Sequence, residues 1–283
     1  MAATEPAWRA SLEKWRQQRE ASLLSEDGWL TVTGLFWLEE GNNSVGSSPG
    51  SQVLLPADAA PAKAGFIRLE TGRAVFTAAP GVRVLLDGKP VQTAELRSDA
   101  SGQPSLLEIG RLKLLLLRRG ERYAIRVKDP QGTLRKNFAG LKWFPARPEW
   151  RIEARFLPAP AARKLVLDTI VGTQDVMEKA GDLEFEHHGK TYRLEAARAG
   201  DRLFIVFRDA TAGKTTYAAG RFLYADASRS GRAVLDFNRA VNPPCAYTPY
   251  TTCPLPPPQN RLPFEIPAGE MAYEGHEAPD RTR

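Results

Sequence analysis

The chain has 283 residues, 42% of them apolar and 25% charged. That length suits one large domain or two ordinary ones, and that composition excludes a disordered chain. The net charge of +6 is spread without a basic block, so nucleic acid is not expected as a partner. Two cysteines are too few for a disulfide framework. No apolar leader opens the sequence, and "LKLLLL" at 112–117 is too short to span a bilayer. A reduced, cytoplasmic protein without membrane contact is expected.

The first element is a helix. In "PAWRASLEKWRQQREASLL", residues 6–24, Trp8, Leu12, Trp15, Arg19 and Leu23 recur at spacings of four and three and share one face. Thr4 suits the N-cap, and Pro6 sits in the first turn, where its missing N–H costs little. Trp8, Trp15 and Leu23 are expected to be buried against the protein body.

After "SEDG" the pattern turns to strands. "WLTVTGLFWLEEG" is followed by "QVLLP", "GFIRLE", "RAVFTA", "VRVLLDGKPV", "SLLEIG", "RLKLLLLRRG" and "RYAIRVKD". Turn residues separate them, and Asp87-Gly88 marks a two-residue hairpin because both positions tolerate positive φ. Many short strands at this spacing predict a β-sandwich over 26–138.

The aromatic and basic stretch "LRKNFAGLKWFPARPEW" leads into a second set: "EWRIEARFL", "RKLVLDTIV", "DVMEKAG", "LEFEHHG", "KTYRLEAARAG", "DRLFIVFRD", "YAAGRFLYAD" and "GRAVLDF". About eight strands with short connections predict a barrel or closed sandwich over 139–275, because closure removes exposed edges. Nine of the 22 prolines then fall between Pro243 and Pro267, so this segment is expected to lie across one end of the module rather than add strands. Residues 276–283 read as a tail. Alternating helices, a phosphate-binding glycine loop and internal repeats are absent from the sequence.

Catalytic material is scarce, and neither a reaction nor a cofactor is legible. His187 and His188 abut a glycine turn and are expected to be exposed and to point to opposite faces, which suits no metal; His276 falls in the tail. Cys245 and Cys253 are compatible with reduced thiols, a disulfide or half of a metal site. The polar residues around the proline-rich segment form the candidate ligand site: Arg221, Asp236, Asn238, Arg239, Asn242, Tyr247, Asn260 and Glu270. Asn, Asp and Arg at strand ends beside an aromatic cover suit a small polar or anionic ligand. The same residues also suit turn-capping and support of irregular backbone.

Four blocks, "WRQQREASLLSEDGWLTVTGLFWLEEG", "LKWFP", "FRDATAGKTTYAAGRFLYAD" and "LDFNRAVNPPCAYTPYTTCPLPPPQNRLPFEIPAGE", resemble a bacterial family catalogued as domain of unknown function 1684, over roughly residues 8–270. That resemblance implies that the proline-rich block belongs to the fold, and it brings no reaction or ligand. "NNSVGSSPGSQVLLP", "GFIRLETGRAVF" and "VLLDGKPV" resemble the forkhead-associated sandwich, whose loops read phosphothreonine. The phosphate contact of that fold would need Arg where this chain has Ser47, and a serine and histidine that "PADAAPAKAG" lacks. Phosphothreonine reading is therefore not expected. The expectation is an all-β protein with an N-terminal helix (1–25), a forkhead-associated-like sandwich and a second β-module. Its role is binding, or an unassigned conversion, of a small polar or anionic molecule at the mouth of the second module. The alternative is an interaction adaptor working through the sandwich.

Overall fold

In the computed structural model, which describes residues 4–226 and 231–275, the chain divides into two units. One is Leu24–Phe138; the other joins Met1–Leu23 to Ala139–Arg283.

Leu24–Phe138 carries β1 (Val32–Trp37), β2 (Gly41–Gly46), β3 (Val53–Leu54), β4 (Gly65–Glu70), β5 (Arg73–Ala78), β6 (Val84–Leu86), β7 (Lys89–Val91), β8 (Thr93–Leu96), β9 (Leu106–Ile109), β10 (Leu112–Arg119) and β11 (Arg122–Lys128). They form a sheet ordered β1-β11-β10-β9-β6-β7 and another ordered β3-β2-β4-β5-β8. Alternation along each strand sends Ile67 and Phe76 from one sheet, and Leu107, Leu112, Leu114 and Ile125 from the other, into one core. The β6–β7 hairpin turns at Asp87 and Gly88, both at positive φ (50° and 77°), as that dipeptide requires. β2 and β8 escape the sequence pattern. "GNNSVG" shows no alternation because Asn43 fills a fully buried position, where its amide bonds the backbone of Glu39, Gly41 and Ile67.

The other unit begins with α1 (Glu5–Leu24) and continues with β12 (Arg151–Pro158), β13 (Lys164–Asp168), β14 (Gln174–His187), β15 (Lys190–Ala199), β16 (Arg202–Phe207), β17 (Arg221–Ala225) and β18 (Arg232–Asp236). That is seven strands among the described residues rather than eight, because "DVMEKAG" and "LEFEHHG" are one strand carrying a register shift between Lys179 and Gly181. The path runs β17-β16-β15-β14-β12-β18, with β13 paired to β14 beside it, and curls into a half-barrel. No ladder among the described residues joins β17 to β18, so the expected closure is incomplete. Past β18 the chain meets β17 through an isolated Phe222–Val241 bridge.

β16, "RLFIVF", is apolar from Leu203 to Phe207 because both of its faces are covered there. Leu203, Ile205 and Phe207 enter the main core with Leu183, Phe185, Leu223 and Phe237, while Phe204 and Val206 pack with Leu165 and Leu167 on the opposite face. Each fully buried side chain of this size contributes about 1.5–3 kcal/mol.

α1 buries Trp8, Leu12 and Leu23. Trp15 departs from expectation: it is half-buried, edge-on to Trp143 at 5.7 Å and covered by the Arg239 guanidinium at 5.5 Å. Arg19 belongs to the packed face because it meets Glu270 at 2.8 Å.

The proline-rich segment takes its backbone partners from strand ends. Leu255 N–H donates to Asp168 O at 2.7 Å, Leu262 N–H to Arg208 O at 2.7 Å, and Ala210 N–H to Phe264 O at 3.0 Å. Leu262 is buried and Phe264 packs against the main core, whereas Tyr250 stays exposed. Asn260 is the central joint. Its Oδ1 accepts from Glu195 N–H at 2.7 Å, and its Nδ2 donates to Glu195 O at 2.9 Å and Val206 O at 2.8 Å. Asn260→Ala strips three backbone groups of their partner, the Val206 carbonyl buried and the two Glu195 groups partly so, and is expected to cost about 3 kcal/mol, the low end of about 1–3 kcal/mol per stranded group. Urea unfolding with an unchanged slope and a lowered midpoint checks this; an unmoved midpoint contradicts it.

Candidate functional site

The ladder between β12 and β18 sets Arg151 opposite Asp236. Both point away from the core, on the alternation that sends Ala154 and Leu235 inward. Arg239, three residues past Asp236, reaches the same carboxylate. Arg151 Nε stands 3.4 Å and Arg239 Nε 3.6 Å from Asp236 Oδ2. α1 covers the group: Trp8 Nε1 donates to Asp236 Oδ2 at 2.9 Å, the Arg151 guanidinium lies 5.2 Å from the Trp8 ring centre, and Arg239 Nη2 donates to Ser11 Oγ at 3.0 Å.

Across the open seam, β17 presents Tyr224 on the same outward face. Arg202, at the start of β16, lies 5.2 Å over the Tyr224 ring and pairs with Asp226 at 3.0 Å. Together with Val234 of β18 these residues line a cleft of about 360 Å³. Among the described residues the donors in it are largely unspent. Each guanidinium carries five N–H donors, and Arg151 Nε is buried without a hydrogen-bond partner among the described residues.

Of the eight residues singled out from the sequence, Asp236 and Arg239 line this cleft. The other six are buried joints with internal partners, although Asn242 Oδ1 has no hydrogen-bond partner among the described residues. Arg221, 1% exposed, pairs with Asp209 at 3.1 Å and donates to Ile266 O at 3.0 Å and to Ala268 O. Burial pulls its guanidinium below the ordinary value, against the opposing pull of Asp209. Asn238 clasps both backbone groups of Arg147 at 2.9 Å. Glu270 accepts from Arg19, from Tyr247 Oη at 2.8 Å and from Asn242 N–H at 2.7 Å. Burial and the Glu270 carboxylate push the Tyr247 phenol well above its usual value. Asn242 Nδ2 donates to Met271 O at 2.7 Å, and Asn260 holds strand ends. Arg221, Asn238 and Asn260 thus hold irregular backbone. Arg151, Arg202, Trp8, Tyr224 and Asp226 were not singled out as ligand residues; Trp8 was read as packing.

The remaining candidates resolve differently. His188 and Gly189 (φ 49° and 72°) form the hairpin turn, but His187 is half-buried and stacked on Phe264 at 4.2 Å. Its ring also adjoins His188 at 4.2 Å, which corrects the expectation of exposed, diverging rings. Burial and that neighbour lower the His187 pKa. His276 lies outside the described residues. No group of three or more His, Cys, Asp and Glu side chains among the described residues suits a metal ion, and no helix among them is long and apolar enough to cross a membrane.

Cys245 and Cys253 are unbridged and buried, with Cys245 N–H donating to Cys253 Sγ at 3.3 Å. The Cys253 side chain and burial both raise the Cys245 thiol. Since the thiolate is the reactive form, Cys245 is expected to resist a thiol reagent at pH 8 until the chain unfolds. Rapid native labelling of Cys245 would contradict this.

The sandwich unit has its own cavity of about 460 Å³, walled by Pro49, Ala62, Phe66, Ala79 and Pro80, with Lys63 the charged residue in its lining.

The model of the family described as "Protein of unknown function (DUF1684)" matches residues 136–271. The match covers the second β-module and the proline-rich segment and starts well after α1, so it is shorter than the 8–270 span read from the sequence. Among solved structures, the chain is similar to an uncharacterized protein of Haloarcula marismortui determined by solution NMR. The two are 33% identical, over 48% of this chain and 78% of that one, with a TM-score of 0.42. It is also similar to FHA domains. The FhaA FHA domain is 18% identical, over 33% of this chain and 97% of that one, with a TM-score of 0.24. An FHA domain from a study of phosphothreonine-dependent FHA interactions is 18% identical, over 33% and 92%, with a TM-score of 0.25. No curated protein matches the chain.

Proposed function

We propose that this chain, which belongs through residues 136–271 to the family of unknown function DUF1684, binds a small anion in the cleft between α1 and the β17–β18 seam. The observation that carries this reading is the pair of guanidiniums, Arg151 and Arg239, sharing the Asp236 carboxylate at 3.4 and 3.6 Å while Arg151 Nε stays buried without a hydrogen bond among the described residues. The two arginine side chains keep 30% and 28% of their surface exposed, so an incoming carboxylate or phosphate oxygen gains charge-assisted bonds at their exposed guanidinium edges. Asp236, packed between two guanidiniums and an indole N–H, serves as the fixed acceptor that orients them. No reaction is assigned to these groups.

The test is calorimetric titration of the full chain with sodium acetate and with sodium phosphate, against sodium chloride at equal ionic strength. Arg239→Gln is expected to lower affinity for the bound anion about tenfold or more, the loss of one charge-assisted bond. Arg193→Gln, on β15 and paired with Glu184 at 2.6 Å, is expected to leave it unchanged. Equal binding by wild type and Arg239→Gln, or no binding of either anion, would overturn the reading.

A further inference from the structure

We infer that the cleft selects an organic monoanion, one carboxylate on a compact ring-bearing body, over inorganic or doubly charged anions. This rests on the anion-binding reading above and narrows it to a ligand class.

Charge sets the first limit. Among the described residues, Arg151, Arg202 and Arg239 face Asp226 and Asp236 across the cleft, which leaves one net positive charge. Arg202 is engaged with Asp226 at 3.0 Å, so the available charge lies on Arg151 and Arg239, already sharing Asp236. One further negative charge balances that pair. Two would place uncompensated charge beside Asp236, and like charges at such range repel.

The apolar lining sets the second limit. Tyr224 is 39% exposed and Val234 40% exposed, on strands that flank the open seam and line the same cleft. An inorganic anion leaves both uncovered; an apolar body removes them from water at roughly 25 cal/mol per Å². A ring suits this lining better than a flexible chain. Planar guanidiniums stack on flat faces, as Arg151 and Arg202 already do on Trp8 and Tyr224, each at 5.2 Å. A rigid body also loses less conformational freedom on binding. The volume of about 360 Å³ is near the lower end of small-molecule sites, roughly 300–1,000 Å³, which favours a single ring with a short acid arm over a nucleotide.

The test titrates the full chain with phenylacetate, hexanoate, phthalate, inorganic phosphate and the neutral phenylacetamide. Phenylacetate is expected to bind at least about tenfold tighter than each of the others. Tyr224→Ala is expected to weaken phenylacetate about tenfold and acetate much less, so that the preference of phenylacetate over acetate narrows. Phthalate or phosphate binding as tightly as phenylacetate would overturn the monoanion assignment, and hexanoate matching it would overturn the ring. In both cases Arg239-dependent binding would leave the broader anion reading intact. Binding of none of the probes would overturn both.

Discussion

Asp209→Ala is expected to destabilise the protein by about 3–5 kcal/mol, the cost of leaving a buried charge without its partner. Asp209 and Arg221 have side chains 1% exposed and lie 3.1 Å apart. Asp209 Oδ2 also accepts from Ile266 N–H and Thr211 Oγ1, each at 2.7 Å. Arg221 in turn donates to Ile266 O and Ala268 O. One carboxylate and one guanidinium thus tie the start of β17 to the far end of the proline-rich segment. Removing the carboxylate strands the guanidinium and frees a backbone N–H at once. Asp209→Asn, which keeps the shape and loses the charge, should fall between wild type and Asp209→Ala. Chemical denaturation that places Asp209→Ala within about 1 kcal/mol of wild type would contradict the burial of this pair.

The second large effect is expected at Trp8. Its side chain is 3% exposed and its indole N–H is bonded to Asp236 at 2.9 Å. Trp8→Ala is expected to cost about 3–5 kcal/mol through lost burial and the cavity left behind. Trp8→Phe keeps most of the apolar area and should cost nearer 1 kcal/mol, the usual worth of one hydrogen bond. The two variants separate packing from polarity, and Trp8→Phe should also weaken anion binding, because Asp236 then turns toward Arg151 and Arg239. A Trp8→Ala protein as stable as wild type would mean that α1 is not docked on the seam.

Local chemistry made much of the fold legible. The spacing of Trp8, Leu12 and Leu23 shows α1 because a helix repeats every 3.6 residues. Asp87-Gly88 and His188-Gly189 show hairpins because few other dipeptides accept two positive φ angles. "RLFIVF" shows a strand covered on both faces. Where polar residues fill core positions, legibility fails. Asn43 hides β2, and Gly181, at the register shift, splits β14 into two apparent strands.

The candidate site was legible in part for a related reason. Asp236 and Arg239 are three residues apart and could be found together. Arg151 faces Asp236 through strand register, and Trp8 arrives on a helix from the other end of the chain; no local pattern encodes either encounter. Arg221, Asn238, Asn260 and Glu270 drew notice as polar groups at irregular places. Irregular backbone recruits such side chains whether or not a ligand is present.

The central claim is that Arg151 and Arg239 receive an anion together. Side-chain Nε–Hε resonances of arginine, followed by ¹H–¹⁵N NMR during a phenylacetate titration at constant ionic strength, test it most directly. The account predicts that the Arg151 and Arg239 signals shift together and saturate at one dissociation constant, while buried Arg221 and the ion-paired Arg193 stay in place. Shifts spread over many arginines without saturation, or none at Arg151 and Arg239, would contradict it.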